Sequence, residues 1–269
     1  MGRMKELLHE LQEERALEWI EENYPDAVEG TPEWEIAAQN YSWMLDDLAE
    51  QAEWQWFQDS LNDLDDRYTH AAGELDELKE LITSAQGGIV FRMAYVHTVT
   101  VMEAFLMFSA RALLNDAEHL DRFYSRIAPA FQKKINQCRS AVLRNTQQRT
   151  EEFHIDEVDL KRRTAQLFVS QQTFHNLDNL DKYFSSVLKS EYEWPFKPLK
   201  YVVETRQDLV HRNGVSKHDE QVRIGSWHLE NAINDVRAFV EAVALTLRRE
   251  TGRDETLPNI SGYYDSDEF

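Results

Sequence analysis

Apolar residues recur along this chain mainly at helical spacing. Leu7, Leu8, Leu11, Ala16, Leu17 and Ile20 return every three to four positions, the period that gathers side chains on one face of an α-helix. Asn23–Pro25 and Gly30-Thr31-Pro32 end that helix, and Pro32 suits the first position of the next. Trp43, Leu48, Ala52, Trp56, Leu61 and Leu64 keep a looser spacing with acids on the opposite face, and Leu75, Leu78, Leu81 and Ile82 extend it. The pattern predicts a helical hairpin with its Trp residues in the core seam. After Gly87-Gly88, Ile89–Leu114 is apolar on most sides, as a helix in the middle of a bundle must be. Further helices are expected at 118–148, 156–168, 171–190, 197–212 and 222–250. Pro195 and Pro198 punctuate one start, and Asn213-Gly214 supplies an end, because both residues tolerate the left-handed conformation that closes a helix. The residues after Thr251 lack periodicity and read as an extended tail, with Tyr263, Tyr264 and Phe269 available for docking.

Composition sharpens this picture. Nine Gly and six Pro in 269 residues are too few for the many tight turns of a sandwich or barrel, so the expected fold class is all-α. The single cysteine, Cys138, excludes an intramolecular disulfide framework and a Cys-rich zinc site. No secretory signal pattern opens the chain and no stretch reaches the ~18 apolar residues of a membrane span, so a cytoplasmic protein without a membrane partner is expected. The net charge of −20 is unevenly spread. Residues 1–80 carry 5 basic and 23 acidic side chains, net −18, residues 81–249 are net +3, and the last 20 are net −5. General attraction to nucleic acid is excluded, and an RNA-handling role needs a local site. The expected organisation is an acidic helical arm at 1–86, a helical bundle at 87–250 and an acidic tail at 251–269.

Phosphate-cradling glycine loops, H-E-x-x-H and G-x-S-x-G are all absent from the sequence, which removes the usual signals for nucleotide binding, zinc hydrolysis and serine nucleophiles. No cofactor and no metal is expected. His70, His119, His154, His175 and His228 read as surface or satisfied core residues. The informative segment runs from Tyr201 to Gly214. Val202, Val203, Leu209 and Val210 form an apolar face, and Arg206 stands three and four positions from the valines, a costly place for a guanidinium unless it is paired or functional. His211 lies five residues on, about 140° around the helix at ~100° per residue, in the last turn before Asn213-Gly214. An arginine and a histidine together suit a phosphodiester: imidazole moves a proton near neutral pH, and guanidinium binds the phosphoryl oxygens. RNA carries its own nucleophile, the 2′-hydroxyl, so no metal-bound water is required. The bland alternative pairs Arg206 with Glu204 or Asp208 and leaves His211 at the negative end of its helix.

Arg206-Gln-Asp-Leu-Val-His211, followed by Arg-Asn-Gly214 and set late in a helical chain, resembles the R-x4–6-H motif of HEPN domains. The helix around Ala94–Leu106 is similar to their first core helix, and the likeness covers roughly residues 88–250. The resemblance implies a HEPN-like up-and-down bundle that forms a homodimer with two motifs lining one cleft. It further implies a metal-independent endoribonuclease leaving a 2′,3′-cyclic phosphate, serving as a toxin or antiviral effector with a possible antitoxin or defence-system partner protein. His211 would be the acid/base and Arg206 the phosphate binder. Gln207 stands where the family most often has Asn, Asp or His, and Asn213 replaces the tyrosine through which some members are silenced. Asp208 and Glu103 are supporting candidates, Glu103 because an acid among Val101, Phe105 and Leu106 needs a partner such as Arg206. Arg212, Lys217, Lys200 and Lys197 could gather RNA phosphates, and Tyr201 is expected to make a core contact. The alternative is a non-catalytic helical module that binds a partner protein or nucleotide through its acidic region.

Overall fold

The computed structural model describes residues 15–45, 63–84, 87–149 and 156–258. The chain divides into two compact units, one ending at Asp59 and the other beginning at Ser60. In the first, helices α1 (15–23) and α2 (32–45) flank a turn around Gly30, whose φ of 85° is a left-handed value that glycine adopts without strain. The Thr31 hydroxyl accepts a hydrogen bond from the Trp34 amide at 3.3 Å, capping the start of α2. Ile20 and Ala37 are buried, and Trp19 packs against Tyr24 and Tyr41 with ring centroids 5.8 and 5.4 Å apart. Trp43 is exposed rather than seated in the core seam. Leu7, Leu8, Leu11, Leu48, Ala52, Trp56 and Leu61 lie outside the described residues.

The second unit carries the remaining helices, α3 (Leu64–Ser84), α4 (Gly88–Leu113), α5 (Ala117–Arg122), α6 (Gln132–Arg149), α7 (Glu157–Ser170), α8 (Leu177–Val187), α9 (Phe196–His211) and α10 (Ser226–Glu250). Among the described residues the fold is all-α, the only extended pairing being an isolated bridge between Val215 and Gln221. The sequence grouped α3 with the acidic arm, but Leu64, Tyr68, Ala71, Ala72, Leu75 and Leu78 on it are buried and it packs on α4 and α10. One apolar stripe of α3 joins the bundle, so the chain divides before α3 and not at Gly87-Gly88.

Helix α4 is the centre. It contacts α3, α7, α9 and α10, and Tyr95, Val99, Met102, Phe105 and Leu106 on it are buried, which explains why its apolar residues occupy most of its circumference. By length and composition α4 could cross a membrane, contrary to the expectation that no segment would; here Tyr95, Val99, Met102, Phe105 and Leu106 pack inside the bundle while Ile89 and Met93 stay exposed. The helix expected at 118–148 is broken. A π turn at Phe123–Ile127 and a 3-10 turn at Ala128–Phe131 separate α5 from α6, because Pro129 has no amide for a continuous ladder. The segment expected as one helix at 171–190 is helical only from Leu177, where Asn176 caps α8 by accepting from the Asn179 amide at 3.1 Å. The tail is anchored at its start. Arg253 pairs with Asp63 and Asp65 at 3.0 and 2.7 Å, and Arg248 pairs with Asp254 at 2.7 Å. Tyr263, Tyr264 and Phe269 lie outside the described residues.

Candidate functional site

Helix α9 presents Arg206 toward α4. The Arg206 guanidinium lies 3.9 Å from the Glu103 carboxylate, and their side chains are 16% and 22% exposed. A separation of 3.9 Å is an ion pair but not a hydrogen bond, so the pairing holds the charge without consuming the fork of N–H donors. The Arg206 Nε is buried with no hydrogen-bond partner among the described residues, an arrangement that costs on the order of 1–3 kcal/mol unless something else satisfies it. The structure therefore brings Glu103 and Arg206 together, whereas Asp208, a residue the bland reading offered as partner, pairs with Arg212 instead.

His211 occupies the last turn of α9 and is exposed. The helix closes just beyond it. Asn213 and Gly214 adopt φ values of 51° and 80°, and the Gly214 amide donates back to the Asp208 carbonyl at 3.0 Å, the left-handed closure anticipated for this pair. Gly214 sits beside Arg92, so that a Cβ added there would lie 3.7 Å from the Arg92 guanidinium. Arg92 and Glu103 are eleven positions apart on α4, about 16 Å at 1.5 Å per residue. Arg206 thus reaches toward one part of α4 and the turn after His211 abuts another. No hydrogen bond joins Arg206 to His211 within the chain among the described residues. Between α3, the start of α4 and the end of α9 the surface opens into a groove of about 730 Å³ whose lining includes Leu81, Ile89, Met93, Leu209 and Asn213. Ile89, Met93 and Val210 are exposed.

The other sequence candidates lie on the outside. Gln207, Lys197, Lys200, Arg212 and Lys217 are exposed, Arg212 being paired with Asp208. Tyr201 is 66% exposed, so the core contact expected for it is not made; its position on α9 points it away from the buried stripe of Leu199, Val202 and Val203.

Sequence reasoning missed His175. Its Nδ1 lies 2.6 Å from Glu103 Oε1, and its backbone amide donates to the same oxygen at 3.1 Å. Glu103 consequently bridges His175 and Arg206, from a helix, a turn and a second helix that are far apart in sequence. The one available signal was the need of Glu103 for a partner, and it pointed to a residue type rather than to a loop 72 positions away. A second histidine, His119, read only as a surface or satisfied core residue, is a core one. It is 1% exposed, with Nδ1 2.7 Å from Asp116 and Nε2 3.0 Å from Glu250, whose side chain is fully buried. Burial pushes the Glu250 carboxyl up, but hydrogen bonds from the Lys189 and Ser190 amides and from His119 outweigh it and hold the group below its ordinary value.

Among the described residues no group of three or more His, Cys, Asp or Glu side chains is arranged to hold a metal ion. Comparison of the chain with protein-family models, with curated proteins and with solved structures finds no match. The residues themselves carry the functional argument.

Proposed function

We propose that the protein is a metal-independent endoribonuclease of HEPN type that acts as a homodimer. The observation that supports this most is the state of Arg206: a guanidinium held by one carboxylate at 3.9 Å with its Nε buried and unpartnered among the described residues. In the proposed reaction Arg206 binds the non-bridging oxygens of the scissile phosphodiester and stabilises the charge that builds there. His211 serves proton transfer, and the 2′-hydroxyl attacks to give a 2′,3′-cyclic phosphate. Within one chain Arg206 and His211 are not in contact, so the reading requires a second copy. The apolar groove between α4 and the end of α9 supports a contact between copies, because Ile89 and Met93 gain from being covered. Lys200, Arg212 and Lys217 would meet flanking phosphates, making binding sensitive to salt.

The test is incubation of total RNA with wild type, Arg206→Ala and His211→Ala in EDTA. Wild type is expected to cut and leave cyclic phosphate ends, with each variant slower by about 10²–10⁴-fold. Equal cleavage by the variants removes the site assignment. Absence of cleavage by wild type, together with a tight partner in pull-down, would instead favour a helical interaction module.

A further inference from the structure

Three features make His175 different from a surface histidine. First, it is held. Phe174 before it is buried and meets Tyr183 edge-on at 5.8 Å, and Asn176 after it caps α8, so the backbone on both sides is fixed. Second, its tautomer is set. Glu103 Oε1 already accepts the His175 amide, and a carboxylate oxygen has no proton to give, so Nδ1 carries the hydrogen and donates. In the neutral ring the lone pair is then on Nε2. Third, that nitrogen is open: among the described residues no group is hydrogen-bonded to Nε2, and the side chain is 18% exposed. The same carboxylate holds Arg206, which puts a proton acceptor and a free guanidinium fork on either side of one anchor.

Cleavage of RNA by its own 2′-hydroxyl needs two proton transfers, one away from the 2′-oxygen and one onto the departing 5′-oxygen. The R-x4-H motif offers a single imidazole per chain. We propose that His175 is the general base of the site, its Nε2 accepting the 2′-hydroxyl proton, and that His211 of a second copy acts as the general acid. The inference rests on the ribonuclease reading. In the step the 2′-oxygen to phosphorus bond forms and the phosphorus to 5′-oxygen bond breaks. The 2′-hydroxyl proton goes to His175, the His211 imidazolium supplies the proton that the 5′-oxygen takes up, and exchange with solvent restores both rings. Glu103 is a positioning residue here: it orients the imidazole and balances the charge the ring acquires.

An activated substrate separates the two roles. The p-nitrophenyl ester of uridine 3′-phosphate expels a leaving group that needs no proton, so it bypasses a general acid but not a general base. The full-length protein is assayed on a dinucleotide and on this ester. His175→Ala and His175→Gln are expected to lose about 10²-fold or more in kcat on both, the glutamine keeping a donor for Glu103 but no basic nitrogen. His211→Ala is expected to be slow on the dinucleotide and near wild type on the ester. Glu103→Gln should be slow on both, and imidazole ¹⁵N shifts should show His175 losing its Nδ1-protonated preference. If both His175 variants match wild type while Arg206→Ala and His211→Ala are inactive, the inference falls and the ribonuclease reading stands. Rescue of His175→Ala by the ester, or an Nε2-protonated tautomer in wild type, also overturns it. If wild type cuts neither substrate, both fall.

Discussion

Two of the histidine–glutamate pairs in the bundle, those of His119 and His175, end differently; a further pair, His97 with Glu74 at 2.9 Å, is more exposed than either. His119 spends both ring nitrogens, on Asp116 and Glu250, and Glu250 goes on to accept the amides of Lys189 and Ser190. That network ties together α5, the C-terminus of α10 and the segment after α8. His175 spends one nitrogen on Glu103, which then leans loosely on an arginine whose Nε has no partner among the described residues. The chemistry of the two pairs is alike, and completeness distinguishes them. A satisfied buried network specifies a fold, whereas one with open valences and a narrow exposed edge is poised to meet a ligand.

The comparison breaks most visibly at Glu250. Glu250→Ala strands the His119 ring and two amides in a buried site, and a loss of about 3–5 kcal/mol is expected, measured by urea denaturation. A loss under 1 kcal/mol would mean that the closed network is not a structural anchor. Acid sharpens the same point. Glu250 and Asp116 both sit below their ordinary values of 4.5 and 3.8. For Asp116 burial pushes the carboxyl up, and the His119 amide and ring pull it down further. Groups whose native values are lowered stabilise the protein above their unfolded values, and that contribution disappears as pH falls through the native ones. Stability is therefore expected to hold above about pH 5 and to drop on acidification below it, with a shallower drop in Glu250→Gln. The smallest effect is at Gly214. Its φ of 80° disfavours any side chain, but a Cβ would meet its neighbours only at 3.7 Å or beyond. Gly214→Ala should cost about 1 kcal/mol, read by thermal melting, and leave the closure of α9 in place.

Much of this fold is legible in the sequence because helical periodicity is local. The apolar circumference of Ile89–Leu114 announces a central helix, and Asn213-Gly214 announces where α9 stops. What escapes is set by tertiary packing. The break at residues 123–131 falls at Pro129, which the expectation of one helix over 118–148 passed over, and a π turn followed by a 3-10 turn depends on what Phe123 and Ile127 bury against. At the site, Glu103 was recognisable as an acid that needed a partner, and Arg206 as a guanidinium out of place. His175 was not, because a loop residue has no periodicity and its position follows from how α7 and α8 are joined.

The central claim is that the Arg206 fork serves a ligand and not the fold. Arg206→Lys tests it most directly, since lysine keeps the charge beside Glu103 but lacks the planar pair of donors. RNA cleavage in EDTA and the melting temperature are measured on the same sample. The account predicts a melting temperature within a few degrees of wild type and cleavage slower by about tenfold to a hundredfold. Wild-type cleavage by Arg206→Lys, or a destabilisation comparable to that of Glu250→Ala, would contradict it.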